Sequence, residues 1–397
     1  MFEGLKVVDC ASYIAAPVAA TILADFGADV VKVEPLSGDP YRRLHVTKGQ
    51  PESPVNYPWL QANRSKRGLA LKLGTPEGDR VMRRLAAGAD VFITNYPFPV
   101  RRRLGIDAAT LTGLNERLIY ASFSAYGETG AEADKPGFDS NAFWARSGLM
   151  DQVRADSSLP PARSVPGLGD NPSGVALFGA IAAGLYQRCQ TGRGGHVSSH
   201  LLANGLWANS YLTQARLAGA TIPDRLPREA ALNPLMNHYR TRDNRWLLLS
   251  LLNGDDQWPV LAERLGRADL IDNPDFATGP ARAAHARALI DILDGVIGAK
   301  TLAEWRAALD GHGLTFGFVA SAEDMLGDPQ MRVSGALTPF ADLAMETVSS
   351  PFWVEGSPKR PPRRAPDLGE HSVDVLRDLG LSEAEIADLR AGGFVAG

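Results

Sequence analysis

The segment LKVVDCASYIAAPVAATILADFGADVVKVE, Leu5 to Glu34, sets an alanine-rich run between two valine-rich ones, and that alternation sets the architecture. Leu5–Cys10 and Asp29–Glu34 have the length and composition of strands. Ala15–Ala28 has the length of a helix, with Pro17 in a first turn that tolerates a missing N–H. The alternation continues. Thr75–Ala89 opens with a capping threonine, Pro76 and Glu77 and predicts a helix. Asp90–Tyr96 (DVFITNY) predicts a third strand and Arg117–Tyr126 a fourth. Strands separated by helical segments predict an α/β fold with a parallel sheet covered on both faces. Such sheets bind ligands in the crevice at the carboxyl ends of their strands, so the segments after Cys10, Glu34, Asn95 and Tyr126 are expected at one site.

Near Arg225 the pattern changes. Pro223, Pro227 and Pro234 mark a linker, and Tyr239–Leu252 predicts two strands around a turn at Asp243–Asn244. Helices are expected at Asp256–Leu265, Ala281–Ile297 and Leu302–Asp310, which makes residues 223–326 a smaller α+β domain. After Asp328–Pro329 the chain is strand-like and proline-rich, then closes in a helix whose capping box is Ser382 with Glu385. So long a tail with few helices is expected to return to the first domain, giving a large domain of residues 1–222 and 327–397.

Composition narrows the function. With 41 basic and 45 acidic residues the net charge is -4, which gives no reason to expect a nucleic acid or an anionic membrane as partner. Cys10 and Cys189 are too few and too far apart for a disulfide framework or a zinc site, as suits a reducing cytoplasm. MFEGLKVVDC lacks the charged-then-apolar pattern of a signal peptide. The longest apolar run, Val175 to Tyr186, is shorter than the ~20 residues a membrane span needs and is expected to be a buried helix. No GxGxxG follows the first strand and no GxxxxGK[ST] occurs, so a dinucleotide or nucleoside-triphosphate enzyme is disfavoured. His196 and His200 lie on an expected strand, where i and i+4 stand ~13 Å apart, so no metal site is expected there.

GLGDNPSG, Gly167 to Gly174, places Asp170 at the mouth of a helix. A carboxylate there is a good N-cap. Taken alone the stretch reads first as that cap, but Asp170 is also well placed as a nucleophile, with glycines at 167 and 169 to admit a substrate and N–H groups near Gly169 or Asn171 for an oxyanion. At the ordinary aspartate pKa of ~3.9 it is ionised without help from a base.

Several separated strings carry a resemblance over nearly the whole chain: the Leu5 segment itself, NRSKRGLALKL from Asn63, NYPFPVRRRLG from Asn95, KPGFDSNAFWARSGLM from Lys135, GLGDNPSG, QTGRGGHV from Gln190 and APDLGEHS near the C-terminus. In that order they resemble the family III CoA-transferases, a group that also includes α-methylacyl-CoA racemase. The resemblance implies a Rossmann-like large domain, a smaller inserted domain and an interlocked homodimer. It implies Asp170 as the catalytic residue, acyl-CoA and a free carboxylic acid as substrates, and no permanently bound cofactor or metal. For coenzyme A it implies Ile14, Ala15 and Pro17 after the first strand, then Arg67, Leu71 and Leu73. Asn95, Tyr96, Arg103, the Gly137–Phe138–Asp139 turn and Gly169 complete the set. Phe138, Phe143 and Trp144 border the acyl site by the same resemblance, although aromatics at such spacing also pack cores.

Two departures stand out. Pro35 follows Val33–Glu34 where relatives carry arginine, leaving Arg42 or Arg43 as substitutes, and Pro97 stands where another arginine is usual. Racemisation beside a thioester needs a second proton-carrying group, and racemases of this group carry histidine where this chain has Phe138. The transferase reading therefore leads the racemase alternative. A CoA-binding protein without catalysis would have no chemical need of Asp170.

Overall fold

The computed structural model describes residues 1–397. Its elements begin β1 (Lys6–Cys10), α1 (Ala15–Asp25), β2 (Asp29–Glu34), α2 (Tyr57–Asn63), β3 (Arg67–Leu71), α3 (Pro76–Ala87) and β4 (Val91–Thr94). They continue with α4 (Phe98–Arg103), α5 (Ala108–Leu114), β5 (Ile119–Ser124), the single turn α6 (Leu149–Gln152), α7 (Asp170–Thr191), β6 (Gly195–His200) and α8 (Leu201–Ala208). The six strands run parallel in the order β3-β2-β1-β4-β5-β6. That is the doubly wound order, with its reversal between β1 and β4.

Alternate residues of each strand enter opposite cores, as the strand period demands. Val7, Val30, Ile93 and Ile119 pack under α1 and α7, while Val8, Val31, Phe92 and Tyr120 face α3, α5 and two C-terminal helices. Every residue of α1 is buried, which explains why five of its eleven are alanine. The expected strands and helices of this region are present, with two differences. RGLAL at Arg67–Leu71 is a strand that sequence reading passed over, because it holds only two bulky apolar residues; DVFITNY is thus the fourth strand, not the third. The helix α7 is buried along one stripe only, through Leu177, Phe178, Ile181 and Leu185, and leaves Tyr186 exposed.

Chain contacts divide the molecule into two compact units: residues 1–150, 163–219 and 330–397 in one, 151–162 and 220–329 in the other. The second unit contains the antiparallel sheet β7 (His238–Arg240), β8 (Trp246–Leu249) and β9 (Phe316–Phe318), of which β9 was not foreseen. Its core gathers Tyr239, Leu247, Trp258, Leu289, Leu293 and Trp305. The helix expected over Ala281–Ile297 is two helices, Gly279–Ala284 and Ala286–Ile297, because His285 leaves helical geometry between them. Residues 151–162, expected in the larger domain, belong here: the Ser157 N–H donates to Arg225 O (2.9 Å) and the Arg225 N–H to Ser157 Oγ (2.8 Å).

The final segment carries β10 (Leu337–Pro339) and β11 (Glu346–Val348), which pair with each other, and β12 (Val395–Ala396), which pairs antiparallel with β3. At that edge the Gly68 N–H donates to His371 Nδ1 (3.2 Å), the Ala70 N–H to Ser372 Oγ (3.2 Å) and the Lys72 N–H to Phe394 O (2.8 Å). The APDLGEHS string is therefore a structural clasp on β3.

Candidate active site

At the reversal point the loops after β1 and β4 are tied together. The Ser12 N–H donates to Asn95 Oδ1 (2.9 Å), and Asn95 Nδ2 donates to Ser12 O (2.7 Å). Here a cavity of about 650 Å³ opens, walled by the loops after β1, β4 and β5, the Gly137–Asp139 turn and Asp170.

Asp170 is the first residue of α7, and its carboxylate makes no capping hydrogen bond; Gly169 occupies the cap position. The N-cap reading is thus corrected. What sets Asp170 in place is the crossing of α7 on α1. A Cβ on Gly174 would lie 2.6 Å from Val18 Cγ1 and 2.7 Å from Ala15 O, so only glycine permits this approach. Gly167 takes φ +74°, which favours glycine. Gly169 is required by packing, since a Cβ there would sit 2.7 Å from the Phe143 ring. The spare room expected at Gly169 for a substrate is taken by that ring.

The electrostatics also differ from the expectation of a freely ionised carboxylate. Burial, and then the negative charge of Asp139, push Asp170 up to about 7. Burial raises Asp139 as well, opposed by the nearby N–H groups of Gly169, Ser140 and Gly167. The Asn171 N–H, one of the two expected oxyanion donors, donates to Gly167 O (2.9 Å) and is not free. Burial and the Asp170 charge raise the phenol of Tyr41, which stays neutral. Tyr41, Gly167 and Asn171 line a second cavity of about 670 Å³.

Of the residues singled out from sequence, Ile14, Ala15, Asn95, Tyr96, Gly137, Phe138, Asp139 and Asp170 meet around the first cavity. The others do not line it. Pro17 is buried within α1, where its carbonyl accepts from Lys66 Nζ (2.8 Å). Arg67 lies at the amino end of β3, away from the crevice, bound to Asp29 and Asp378 at 2.7 Å each. Leu71 and Leu73 pack in the core under α3. Arg103 is exposed on α4; two residues apart on a helix point ~200° away from each other, and it is Arg101 that enters the cavity wall. Phe143 and Trp144 are core residues, leaving Phe138 alone of the three aromatics at the cavity. Arg42 does not replace the missing cation: it is held by Glu34 at 2.7 Å and stacks 3.8 Å from the Trp59 ring. Arg43 is exposed and lines neither cavity.

Sequence reading missed three features. Arg101 binds Glu128 and the carbonyls of Tyr96 and Phe123, and although burial opposes it, this pairing holds Glu128 below its usual range. The helical period of α4 is a signal that separates Arg101 from Arg103. Tyr13, at φ +65°, lies edge-on to Phe138 with ring centres 5.5 Å apart. Beneath it runs a buried ionic network. Lys32 reaches Asp39 (3.1 Å), Lys66 reaches Asp9 (2.7 Å), and Asp39 Oδ1 accepts from the N–H groups of Tyr13 (3.3 Å) and Tyr41 (3.0 Å). Burial, against the pull of Asp9, brings Lys66 down to about 8. His196 and His200 are each engaged, the first with Ser122 Oγ at 2.7 Å and the second accepting from the Ala203 N–H.

Comparison with known proteins gives a consistent result. The profile described as CoA-transferase family III matches residues 2–372. The chain is 31% identical to the (R)-2-hydroxy-4-methylpentanoate CoA-transferase of Clostridioides difficile, covering 98% of each chain. It is 29% identical to the cinnamoyl-CoA:phenyllactate CoA-transferase of Clostridium sporogenes, covering 98% of this chain and 96% of that one. Among solved structures, a CaiB/BaiF family protein from Brucella suis superposes with a TM-score of 0.84 at 27% identity, over 95% of this chain and 99% of the other.

Proposed function

The chain belongs to CoA-transferase family III and is a CoA-transferase, and from that premise we propose that Asp170 is the residue through which CoA passes. The observation that carries this reading is an uncapped, unpaired carboxylate at the start of α7, facing a cavity at the reversal point of the sheet. Ionised Asp170 attacks the thioester carbonyl of an acyl-CoA, and the CoA thiolate leaves, giving a mixed anhydride. The thiolate then attacks the Asp170 carbonyl carbon, releasing the acyl group as a carboxylate and leaving CoA on the enzyme. An incoming carboxylate attacks that enzyme thioester, forming a new anhydride and freeing the thiolate. Attack of the thiolate on the new acyl carbonyl yields the product acyl-CoA and regenerates Asp170. Each step exchanges one activated acyl bond for another, so the sequence balances without ATP. Ile14, Ala15, Asn95, Tyr96, Gly137 and Asp139 are the residues we assign to holding CoA, and Phe138 of the same turn to bordering the acyl group.

The functional unit in this reading is an interlocked homodimer. Supporting it, the larger unit leaves three large aromatic side chains, Tyr186, Trp207 and Tyr211, 70%, 82% and 87% exposed in a lone chain. The mechanism is tested by incubating the protein with an acyl-CoA, quenching with hydroxylamine and mapping the modified peptide. The modification is expected at Asp170; modification confined to any other carboxylate refutes the assignment.

A further inference from the structure

The cavity lined by Asp170 also gathers aromatic and charged side chains. Two aromatic side chains meet there edge to face, Tyr13 and Phe138, and they remain 36% and 57% exposed. Exposed rings gathered in a concave site are unusual unless something covers them, and their faces favour another flat apolar group. The backbone of Tyr13 takes a left-handed φ of +65°, and its N–H donates to Asp39, itself bound to the buried Lys32. A backbone kept in a left-handed conformation by a buried ionic network is pre-organised, which lowers the cost of receiving a ligand.

The charges point the same way. Besides Asp170, which carries CoA when the acid arrives, the cavity wall contains three carboxylates, Glu128, Asp134 and Asp139, against two cations. Both cations are committed. Arg101 is bound to Glu128, and Lys135 lies 2.7 Å from Glu132. A dicarboxylic acid held here by one carboxyl would bring its second carboxylate into a net negative wall with no free cation to meet it.

Resting on the transfer chemistry assigned to Asp170, we propose that the acids exchanged are aryl monocarboxylic acids, their ring seated on Tyr13 and Phe138 and their single carboxylate at Asp170. Dicarboxylic acids of the succinyl or glutaryl kind are rejected by the same wall.

Self-exchange separates this from the transfer reading, because donor and acceptor carry the same acyl group. The full-length protein is incubated with 3-phenylpropanoyl-CoA and ring-deuterated 3-phenylpropanoate, and label entering the CoA ester is followed by mass spectrometry. Succinyl-CoA with labelled succinate and hexanoyl-CoA with labelled hexanoate are run beside it. The aryl pair is expected to exchange with a kcat/KM at least about tenfold above the succinyl pair. Phe138→Leu, which keeps an apolar side chain and removes the ring, is expected to lower the ratio of aryl to hexanoyl exchange by about three- to tenfold. Succinate exchange equal to or faster than the aryl pair overturns the aryl assignment and leaves CoA transfer standing. So does an unchanged aryl-to-hexanoyl ratio in Phe138→Leu. Absence of exchange with all three pairs, together with an unmodified Asp170, overturns the transfer reading and this inference with it.

Discussion

A carboxylate that titrates near neutrality is a nucleophile only part of the time. With Asp170 pushed up to about 7, the reactive form gains population as pH rises through that value. The expected kcat/KM profile climbs from pH 6 and levels above pH 8. Asp139→Asn removes the neighbouring charge but not the burial, which is the larger cause, so the inflection should move down by less than the whole shift. An inflection that stays in place would mean that burial alone raises Asp170. The same shift bears on stability. The folded pKa lies above the unfolded one, so the contribution is fully present below about pH 4 and is lost as pH rises through 7. Replacing Asp170 by Asn should therefore stabilise the protein at pH 8, by on the order of 2–4 kcal/mol, with the gain shrinking toward pH 4. Urea unfolding at the two pH values measures the difference.

Among the elements, α7 carries the most contrast between residues of one type. Gly174 lies against Val18 and the Ala15 carbonyl, whereas Gly179 is exposed, with nothing within 4 Å of where a Cβ would stand. Gly174→Ala should cost roughly 1–3 kcal/mol or more by overpacking and tilt Asp170 away from its cavity. Gly179→Ala, in the same helix, should stabilise by about 0.5–1 kcal/mol through helix propensity. Thermal melts of the pair read both signs, and equal effects would contradict the packing argument. The ionic network under β1 and β2 predicts a third outcome. Lys66→Met leaves Asp9 with only the more distant Lys32, at 3.8 Å, and should destabilise by roughly 3–5 kcal/mol in denaturant titration. Sequence patterning revealed the βαβ elements of the large sheet well because valine runs and an alanine-rich helix are period signals. Arg67–Leu71 and Phe316–Phe318 escaped it, being short strands whose pairing comes from distant neighbours. At the site, motif resemblance singled out Asp170 and the turn at 137–139, and these residues line one cavity. It could not tell Arg101 from Arg103, nor foresee that Asp139 raises Asp170, because both depend on which way side chains turn in three dimensions.

For the whole molecule, the proposed interlocking predicts that dissociation and unfolding coincide. Sedimentation at low nanomolar concentration should find dimer or unfolded chain, and a folded, active monomer would rule interlocking out. The clasp on β3 has a different consequence. A sheet edge ordinarily presents a row of free N–H groups on which a foreign strand can grow. Here His371, Ser372 and Phe394 already occupy the donors of Gly68, Ala70 and Lys72. The edge is thereby denied to other chains, and only two residues of true strand, Val395 and Ala396, are used to do it. Replacing His371 and Ser372 together by alanine should leave most of the fold in place yet turn β3 into a template, so that the variant gathers into thioflavin-binding aggregates at concentrations where the parent protein stays clear.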